Sequence, residues 1–544
     1  MNHILRITTA FLIVSCLWRC AVQTTPQGGP KDETPPILMR STPQEKETNF
    51  HEKTIELTFN EKVKLNNPTD EIIITPSPGK IIDFKAIKNK ITIEPKDGWA
   101  ENTTYSISFR EGVQDITEGN SADTLHLAFS TGPEIDSLSI FGKITNGIKE
   151  EIPQKITIAI YESDTTDIFK HAAVYFTKTN KQGQFKLENL KAGKYFLYGF
   201  EDRNKNLKIE STTEIFGFKS EPIVLVSDRP DSIIFSLAKA DSRPIKINSI
   251  RRTDKSTRVI FNKSIVAYEV STDSIDTPIN YFGDNTSEII LFNPVNKTDS
   301  VRINLVAKDS INLKLDTVFY TKQSLTKAQV ESFKINYDQP IYVPETETFT
   351  LKGSFNKPIK QINTDSIFIK IDSTNRIQID EKELLINNIN KTISLYKKIE
   401  RNKFITKETT NPAVILGKAF LTTFEDDTTK AETKQIKTLS SEKTATLEIQ
   451  IKTLQKSFII QLLNGSGIVL ESVKNVKNYI FKNLDPVTYK LRVIDDKNAN
   501  GQWDTVNILT RTEAEPVHYY KSQEGRTDIA TRENSDIGPL ILTF

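Results

Sequence analysis

"ENLKAGKYFLYGFEDRNKN" (188–206) and "KNLDPVTYKLRVIDDKNAN" (482–500) align without a gap. Asn189, Leu190, Tyr195, Asp202, Asn204 and Asn206 fall on Asn483, Leu484, Tyr489, Asp496, Asn498 and Asn500. In each copy an alternating apolar run ("QFKL", "YIF") leads through a tight turn, Lys191 to Gly193 or Asp485 to Val487, into a second run, and an acidic loop comes directly after it. Alternation of this kind reads as strands of a β-sandwich, so one sandwich module is used twice.

Beyond residue 50 the same texture continues: "KTIELTF", "KITIEP", "TYSISF", "KITIAIY", "TRVIF", "SEIILF", "VRINLV" and "TISLY" alternate and are broken by Asn, Asp, Gly and Pro. A stretch such as "SLTKAQVESF" has room for a turn or two of helix, but no long segment holds a 3.6-residue apolar period. The fold class read from this texture is all-β, a tandem of β-sandwiches. A second repeat, "IELTFNEKV" (55–63), "RVIFNKSI" (258–265) and "LKGSFNKPI" (351–359), puts Phe59, Phe261 and Phe355 in cores and makes Asn60, Asn262 and Asn356 the bulge or turn that ends a strand.

A chain of 544 residues needs several cores, at about 100–200 residues each. With 26% charged and 37% hydrophobic residues it is polar but foldable, and a net charge of +2 without a basic stripe excludes nucleic acid as a partner. The start, "MNHILRITTAFLIVSCLWRC", has a basic region ending at Arg6 and an apolar run from Ile7 to Trp18, which reads as an export signal. No later stretch has the length of a spanning helix. The two cysteines, Cys16 and Cys20, lie at the signal's end and offer no disulfide framework. Cys16, preceded by Ser15, fits lipoprotein processing, which anchors a chain to a membrane through acyl groups.

The two acidic loops raise the question of chemistry. Each has an acid, Asn, Asn and an acid at positions one, three, five and nine, the pattern of oxygens round a hard cation. Asp496, Asn498, Asn500, the Gln502 carbonyl and Asp504 would be the ligands, with Gly501 allowing the sharp turn. Position twelve is Asn507 rather than a bidentate acid, so a calcium affinity of ~10⁻⁴ to 10⁻³ M and a structural role are expected. The earlier loop offers Asp202, Asn204, Asn206 and Glu210 but has Leu207 at the glycine position, where a branched side chain resists a left-handed backbone. The other reading of both loops is an Asx-rich turn that hydrogen-bonds to itself.

Catalytic material is thin. His51, His126, His171 and His518 are scattered, and no nucleophile elbow, zinc-protease helix, phosphate loop or dinucleotide fingerprint occurs. Trp99 and Trp503 stand beside turns, where each serves either to stack on a sugar ring or to pack. An Asp-Ser/Thr-aliphatic triplet recurs, at Asp309-Ser310-Ile311 and Asp365-Ser366-Ile367 among others, and reads as a turn entering a strand.

The stretches "GGPKDETPP", "IELTFNEKV", "AENTTYSISF", "GVQDITEGN" and "FSTG" resemble the SbsA-type bacterial Ig-like domain that opens many envelope lipoproteins of Bacteroidota. "KTNKQGQFKLENLKAGKYFLYGFEDRNKN" is similar to the transthyretin-like or carboxypeptidase-regulatory-like sandwich that commonly comes next there. In that family the lipid-bearing cysteine precedes "GGPKD", which corresponds to Cys20, and the Ser/Thr triplet resembles an acceptor for O-linked glycans. The expected organisation is a lipoprotein signal at 1–20, a linker at 21–35, an Ig-like domain at 36–133 and a transthyretin-like sandwich at 137–238. Ig-like sandwiches at 243–325 and 328–440 come after it, then a second transthyretin-like sandwich at 445–544. The resemblance implies a non-catalytic outer-membrane lipoprotein on the periplasmic or cell-surface face, serving as a modular scaffold or adhesion protein, with envelope proteins or glycans as partners. A glycan-binding accessory role is the alternative, and an enzyme with a site built from distant loops a third.

Overall fold

A computed structural model describes residues 32–544 apart from 123–124, 149–153, 165, 228–231, 274–277, 293–299, 323, 330 and 406–410. The signal with Cys16 and Cys20, and most of the 21–35 linker, lie outside the described residues. The chain divides into two compact units, residues 1–138 with 188–191, and residues 139–187 with 192–544. Among the described residues both are built of short strands, interrupted by one-turn helical segments. The turn or two of helix allowed at 324–333 does not form among the described residues, where no apolar face would hold it.

In the first unit, Leu38–Thr42, Ile55–Phe59, Lys90–Pro95 and Ile82–Ile87 lie side by side in that order, all antiparallel. A second sheet of Ile73–Thr75, Thr104–Ser108 and His126–Ser130 completes a sandwich whose core includes Leu57, Phe59, Ile93, Ile107 and Phe129. The order first, second, fourth, third recurs in the second unit. It appears in Ile247–Arg252, Ser256–Phe261, Glu288–Phe292 and Ile279–Phe282, and again in Ile335–Tyr337, Thr348–Phe355, Thr392–Lys398 and Leu384–Asn387.

The Phe-Asn repeat explains why these three sandwiches share a frame. Phe59, Phe261 and Phe355 pair with Leu38, Ile247 and Ile335, and each ring is buried. The next residue, asparagine, clamps the neighbouring strand's entry. Its N–H donates to the carbonyl of Ile37, Lys246 or Lys334 at 3.0, 3.0 and 3.2 Å. Its Oδ1 accepts the N–H of the same residue at 2.8, 2.9 and 2.8 Å. A side chain thus supplies one more ladder rung where the backbone bends away.

The lysine after the clamp is buried in the second and third copies. Lys263 Nζ lies 2.6 Å from Asp309 Oδ2 and donates to the carbonyls of Asp241 and Arg243, also at 2.6 Å. Lys357 meets Asp427 at 2.6 Å and Glu425 at 3.3 Å. The first copy has Glu61 at this position.

The two copies of the opening repeat have one topology. In the earlier copy Gln184–Leu190, Leu138–Asn146 and Ile233–Leu237 form one sheet. Tyr175–Lys178, Thr157–Tyr161, Gly193–Phe200 and Phe216–Phe218 form the other, with Ile223–Leu225 also on Gly193–Phe200. In the later copy Asn478–Leu484, Ala445–Lys452 and Ser535–Thr543 match the first sheet, including its parallel pair. Val469–Lys474, Ile459–Asn464, Thr488–Ile494, Val517–Tyr519 and the Ile529–Ala530 strand match the second. Aligned residues share left-handed backbone: Asn189 and Asn483 have φ 58° and 57°, Lys205 and Ala499 60° and 57°.

Successive sandwiches of the second unit are joined. Lys391 Nζ donates to the Gly283 carbonyl at 2.6 Å, Phe292 meets Phe424 at 6.1 Å, and Lys437 pairs with Asp485 at 2.6 Å.

Replacing Lys263 by Met leaves the Asp309 carboxylate buried without its counter-charge, a change expected to cost about 3–5 kcal/mol. Urea unfolding should show an early transition for this sandwich. The double variant Lys263→Met with Asp309→Leu should recover much of the loss. A single variant with unchanged unfolding would show that the pair contributes nothing.

Candidate functional site

The two acidic loops come directly after the long Gly193–Phe200 and Thr488–Ile494 strands, and their hydrogen bonds correspond one to one. Asp202 accepts the N–H groups of Asn206 and Leu207 at 3.0 and 3.1 Å, and Asp496 those of Asn500 and Gly501 at 3.1 and 2.9 Å. Asn204 and Asn498 accept the same Asn206 and Asn500 N–H groups. Asn206 and Asn500 accept from Lys208 and Gln502. Asn206 Nδ2 reaches Glu210 at 2.6 Å, and Asn500 Nδ2 reaches Asp504 at 2.7 Å.

Leu207 adopts the left-handed backbone after all, with φ 57° against 77° at Gly501. The expectation that its side chain would resist fails for a physical reason. Its N–H is held by Asp202, its carbonyl accepts the Ala173 N–H at 2.8 Å, and its side chain packs on the module's core. Those contacts outweigh the local strain.

Each loop is closed by a carboxylate that sequence reading missed. Glu214 accepts the N–H groups of Arg203 and Glu210, both at 2.9 Å. Glu515 accepts those of Lys497 and Asp504 at 2.8 and 3.1 Å, the same loop positions. Glu214 is 1% exposed, and burial pushes its carboxyl up to about 7, with the neighbouring Glu210 adding to the effect. Burial likewise raises Asp202 and Glu515, and Asp504 and Asp496 add repulsion at Glu515. Glu210 Oε2 is buried and meets no donor.

Carboxylates and amide oxygens of this kind fit a hard cation in their chemistry. Asp496, which is 2% exposed, Asn498, Asn500 and Asp504 in one loop and Asp202, Asn204, Asn206 and Glu210 in the other all fall in their loops as expected. Gln502 is engaged through its N–H, which donates to Asn500. As described, the amide groups close each loop through Asx turns, and an amide turned end for end would direct oxygen where nitrogen now points. Among the described residues no three His, Cys, Asp or Glu side chains are grouped to hold a metal between them.

Past the loop the two copies diverge. Three residues lie between Glu210 and Glu214 and ten between Asp504 and Glu515, so the later copy carries seven extra residues. They form a tongue. Asn507 and Thr512 exchange backbone hydrogen bonds at 2.9 Å, and Arg511 turns the tip with φ 50°. Val506, Ala514 and Trp503 pack into the core of the earlier module beside Tyr198, Phe216 and Phe218. Arg511 sits over the Phe196 and Phe218 rings, at 5.3 and 5.4 Å, and donates to the carbonyls of Lys219 and Ser220 and to the Tyr198 hydroxyl. Glu513 pairs with Lys219 at 2.9 Å and accepts the Ser220 N–H. Thr505 and Asn507 reach the carbonyls of Lys239 and Ile311.

The tryptophans therefore part ways. Trp503, partly buried, packs against the core of the earlier module, its Nε1 donating to the Glu515 carbonyl at 3.1 Å. Trp99 lines a cleft in the first unit. Of the Asp-Ser/Thr triplets, Ser310 is exposed while Asp309 is committed to Lys263.

Residues 32–131 match the bacterial Ig-like domain family. No curated protein matches the chain. Among solved structures the chain is similar to the SGBP-B protein of the Bacteroides ovatus mixed-linkage glucan utilization locus in complex with a mixed-linkage heptasaccharide, at 12% identity, 63% of this chain, 87% of that one and a TM-score of 0.14. It is also similar to BcpA, the major pilin subunit of Bacillus cereus, at 10% identity, 75% and 99% coverage and a TM-score of 0.14. The human desmocollin-1 ectodomain gives 10% identity, 75% and 80% coverage and a TM-score of 0.12. These likenesses are too distant to bear on function. The Ig-like domain accounts for the first unit's sandwich and leaves the loops and tongue outside the match.

Arg511→Ala removes charge-assisted hydrogen bonds worth roughly 1.5–3 kcal/mol each at most, together with the stacking on two rings. Hydrogen exchange at 505–514 and at Phe216–Phe218 should accelerate at least tenfold while exchange in Ile55–Phe59 stays unchanged. Unaltered exchange at both segments would mean that the tongue is held by apolar packing alone.

Proposed function

We propose that this chain is a non-catalytic bacterial envelope lipoprotein of the SbsA-type Ig-like kind, a stiff array of β-sandwiches that scaffolds or binds at the cell envelope. The observation that carries the reading is the tongue. Within the second unit Arg511, Glu513 and a shared core tie the last module to the first, which limits motion between those modules, as a scaffold requires. The export signal and the cysteines at its end supply the route and the anchor, at Cys16 or Cys20, and favour the outer membrane. Among the described residues no helix is long and apolar enough to cross a membrane. Acylation is tested by mass spectrometry of the mature N-terminus from a native membrane fraction. A diacylglyceryl group on Cys16 or Cys20 is expected, and an unmodified chain released in soluble form would overturn the anchor.

Calcium belongs to the same reading as a structural ion. Asp496, Asn498, Asn500, the Gln502 carbonyl and Asp504 would hold it in the later loop, with Glu515 as a further carboxylate. Asp202, Asn204, Asn206 and Glu210 would do so in the earlier loop, with Glu214. Bound there, the ion would neutralise carboxylates that now repel one another and stiffen the base of the tongue. At an affinity of ~10⁻⁴ to 10⁻³ M, millimolar calcium stands at about one to ten times Kd, and binding to the folded form alone then stabilises by roughly 0.4–1.4 kcal/mol. Thermal melts in millimolar calcium, magnesium and chelator should therefore show a calcium-specific rise that Asp496→Ala and Glu515→Gln both reduce. Superimposed melts would make each loop an Asx turn and nothing more.

One specific observation favours the glycan-binding alternative: the cleft at Trp99.

A further inference from the structure

In the first unit the turn before Ile55 and the turn after Pro95 face each other across a cleft of about 540 Å³. Its lining includes Trp99, His51, Glu52, Glu101 and Asn102. That volume suits a small ligand rather than a protein surface.

Trp99 is fixed as few surface rings are. It stands edge to face with Tyr105 at 4.8 Å and with Phe129 at 5.2 Å, and its Nε1 donates to the Lys53 carbonyl at 2.9 Å. Its polar atom is thus satisfied from within, and the part of the ring that the core leaves uncovered lines the cleft. The opposite wall is equally set. Thr131 Oγ1 donates to the Ala100 carbonyl at 2.6 Å and accepts the Thr103 N–H at 2.9 Å, and the Ala100 N–H donates to the Tyr105 hydroxyl at 2.8 Å. Gly132 lets Asn102 lie close, since a Cβ there would stand 3.0 Å from the Asn102 Cα. A site already in shape loses little entropy on binding.

The rim is polar and uncommitted. Among the described residues the side chains of His51, Glu52, Glu101 and Asn102 have no hydrogen-bonding partner, whereas Lys53 is engaged by Glu94 at 3.0 Å. Free groups of this kind offer hydroxyls both acceptors and donors. Two carboxylates on the rim repel anions, which excludes phosphate and acidic sugars. A fixed aromatic surface beneath hydroxyl-binding groups is complementary to a ring that is apolar on its face and polar round its edge.

We propose that this cleft binds a neutral saccharide, one pyranose ring packing its C–H face on Trp99 while its hydroxyls bond to Glu101, Asn102 and Glu52. This deepens the binding side of the function proposed for the chain and rests on it.

The test is affinity electrophoresis and calorimetry of the full mature chain against neutral β-glucans, α-glucans, xylans and mannans, with an acidic polysaccharide alongside. At least one neutral polymer should be retained and the acidic one ignored. Glu101→Ala, at an exposed side chain, and Asn102→Gly, which keeps the left-handed backbone of φ 51° there, should each weaken binding about tenfold, one lost hydrogen bond converted at 1.4 kcal/mol per decade. Trp99→Phe should abolish retention, and Trp503→Phe should leave it intact. Unchanged melting of the two rim variants keeps the result separate from folding. No retention of any neutral polymer, retention indifferent to Glu101 and Trp99, or binding of the acidic polymer would overturn the site. None of those outcomes touches the acylation or calcium measurements, so the cleft and the envelope reading fail independently.

Discussion

One carboxylate fixes the base of the arm that joins the last module of the second unit to the earlier copy of the same sandwich. Glu515 binds the N–H groups at both ends of the later acidic loop and marks the base of the tongue, which begins just after Asp504. Its backbone is enlisted as well: its N–H donates to the Asp504 carbonyl at 3.0 Å, and its own carbonyl takes the Trp503 indole N–H. With both ends pinned at one residue, the segment between them has only to project. The seven added residues then reach the earlier module instead of coiling back on their own. Closing a loop at its base is the most effective place to remove its freedom, because every residue beyond inherits the constraint.

The comparison of the two copies makes the tongue's origin plain. Where the interval from Glu210 to Glu214 is short, the chain returns at once to the Phe216–Phe218 strand and the loop ends there. Where it is long, the same carboxylate position is kept and the surplus becomes an arm. Arg511 is well chosen for the tip. A planar cation stacks on Phe196 and Phe218 while its remaining N–H groups satisfy carbonyls of Lys219 and Ser220, which a lysine would do less completely. The earlier copy thus acts as receptor and the later as ligand, although both share one pattern.

How much of this was legible depended on distance along the chain. The Asp, Asn and Asn of each loop bond to N–H groups within five residues, so their spacing alone marked a turn, whereas the shared left-handed backbone of Asn189 and Asn483 left no mark beyond their alignment. The Phe-Asn clamp was half legible: the repeat marked the strand's end, but that Asn262 Oδ1 takes the Lys246 N–H depends on a strand that arrives from elsewhere. Glu214 and Glu515 were not legible, because their spacings from the loop differ and no gapless alignment superimposes them. The pairing of Lys263 with Asp309 crosses between strands and left no local mark. Leu207 was misjudged because strain is local while its compensation, a packed core and two hydrogen bonds, is not.

The tryptophans show where such reading stops. Both stand just past a glycine near a turn, and by local sequence they are equivalent. What separates them is what they meet: Trp503 packs against the core of the earlier module, while Trp99 backs onto Tyr105 and Phe129 and keeps one side on a cleft. An aromatic ring gains most by burial. Leaving one partly uncovered, beside carboxylates and an amide whose side chains have no hydrogen-bonding partner among the described residues, forgoes stability that further packing could have supplied. Both rings stay partly uncovered, but Trp503 spends its packed side on a neighbouring module's core, whereas Trp99 keeps its open side on a cleft, and that makes it the place for something other than the chain itself to pack.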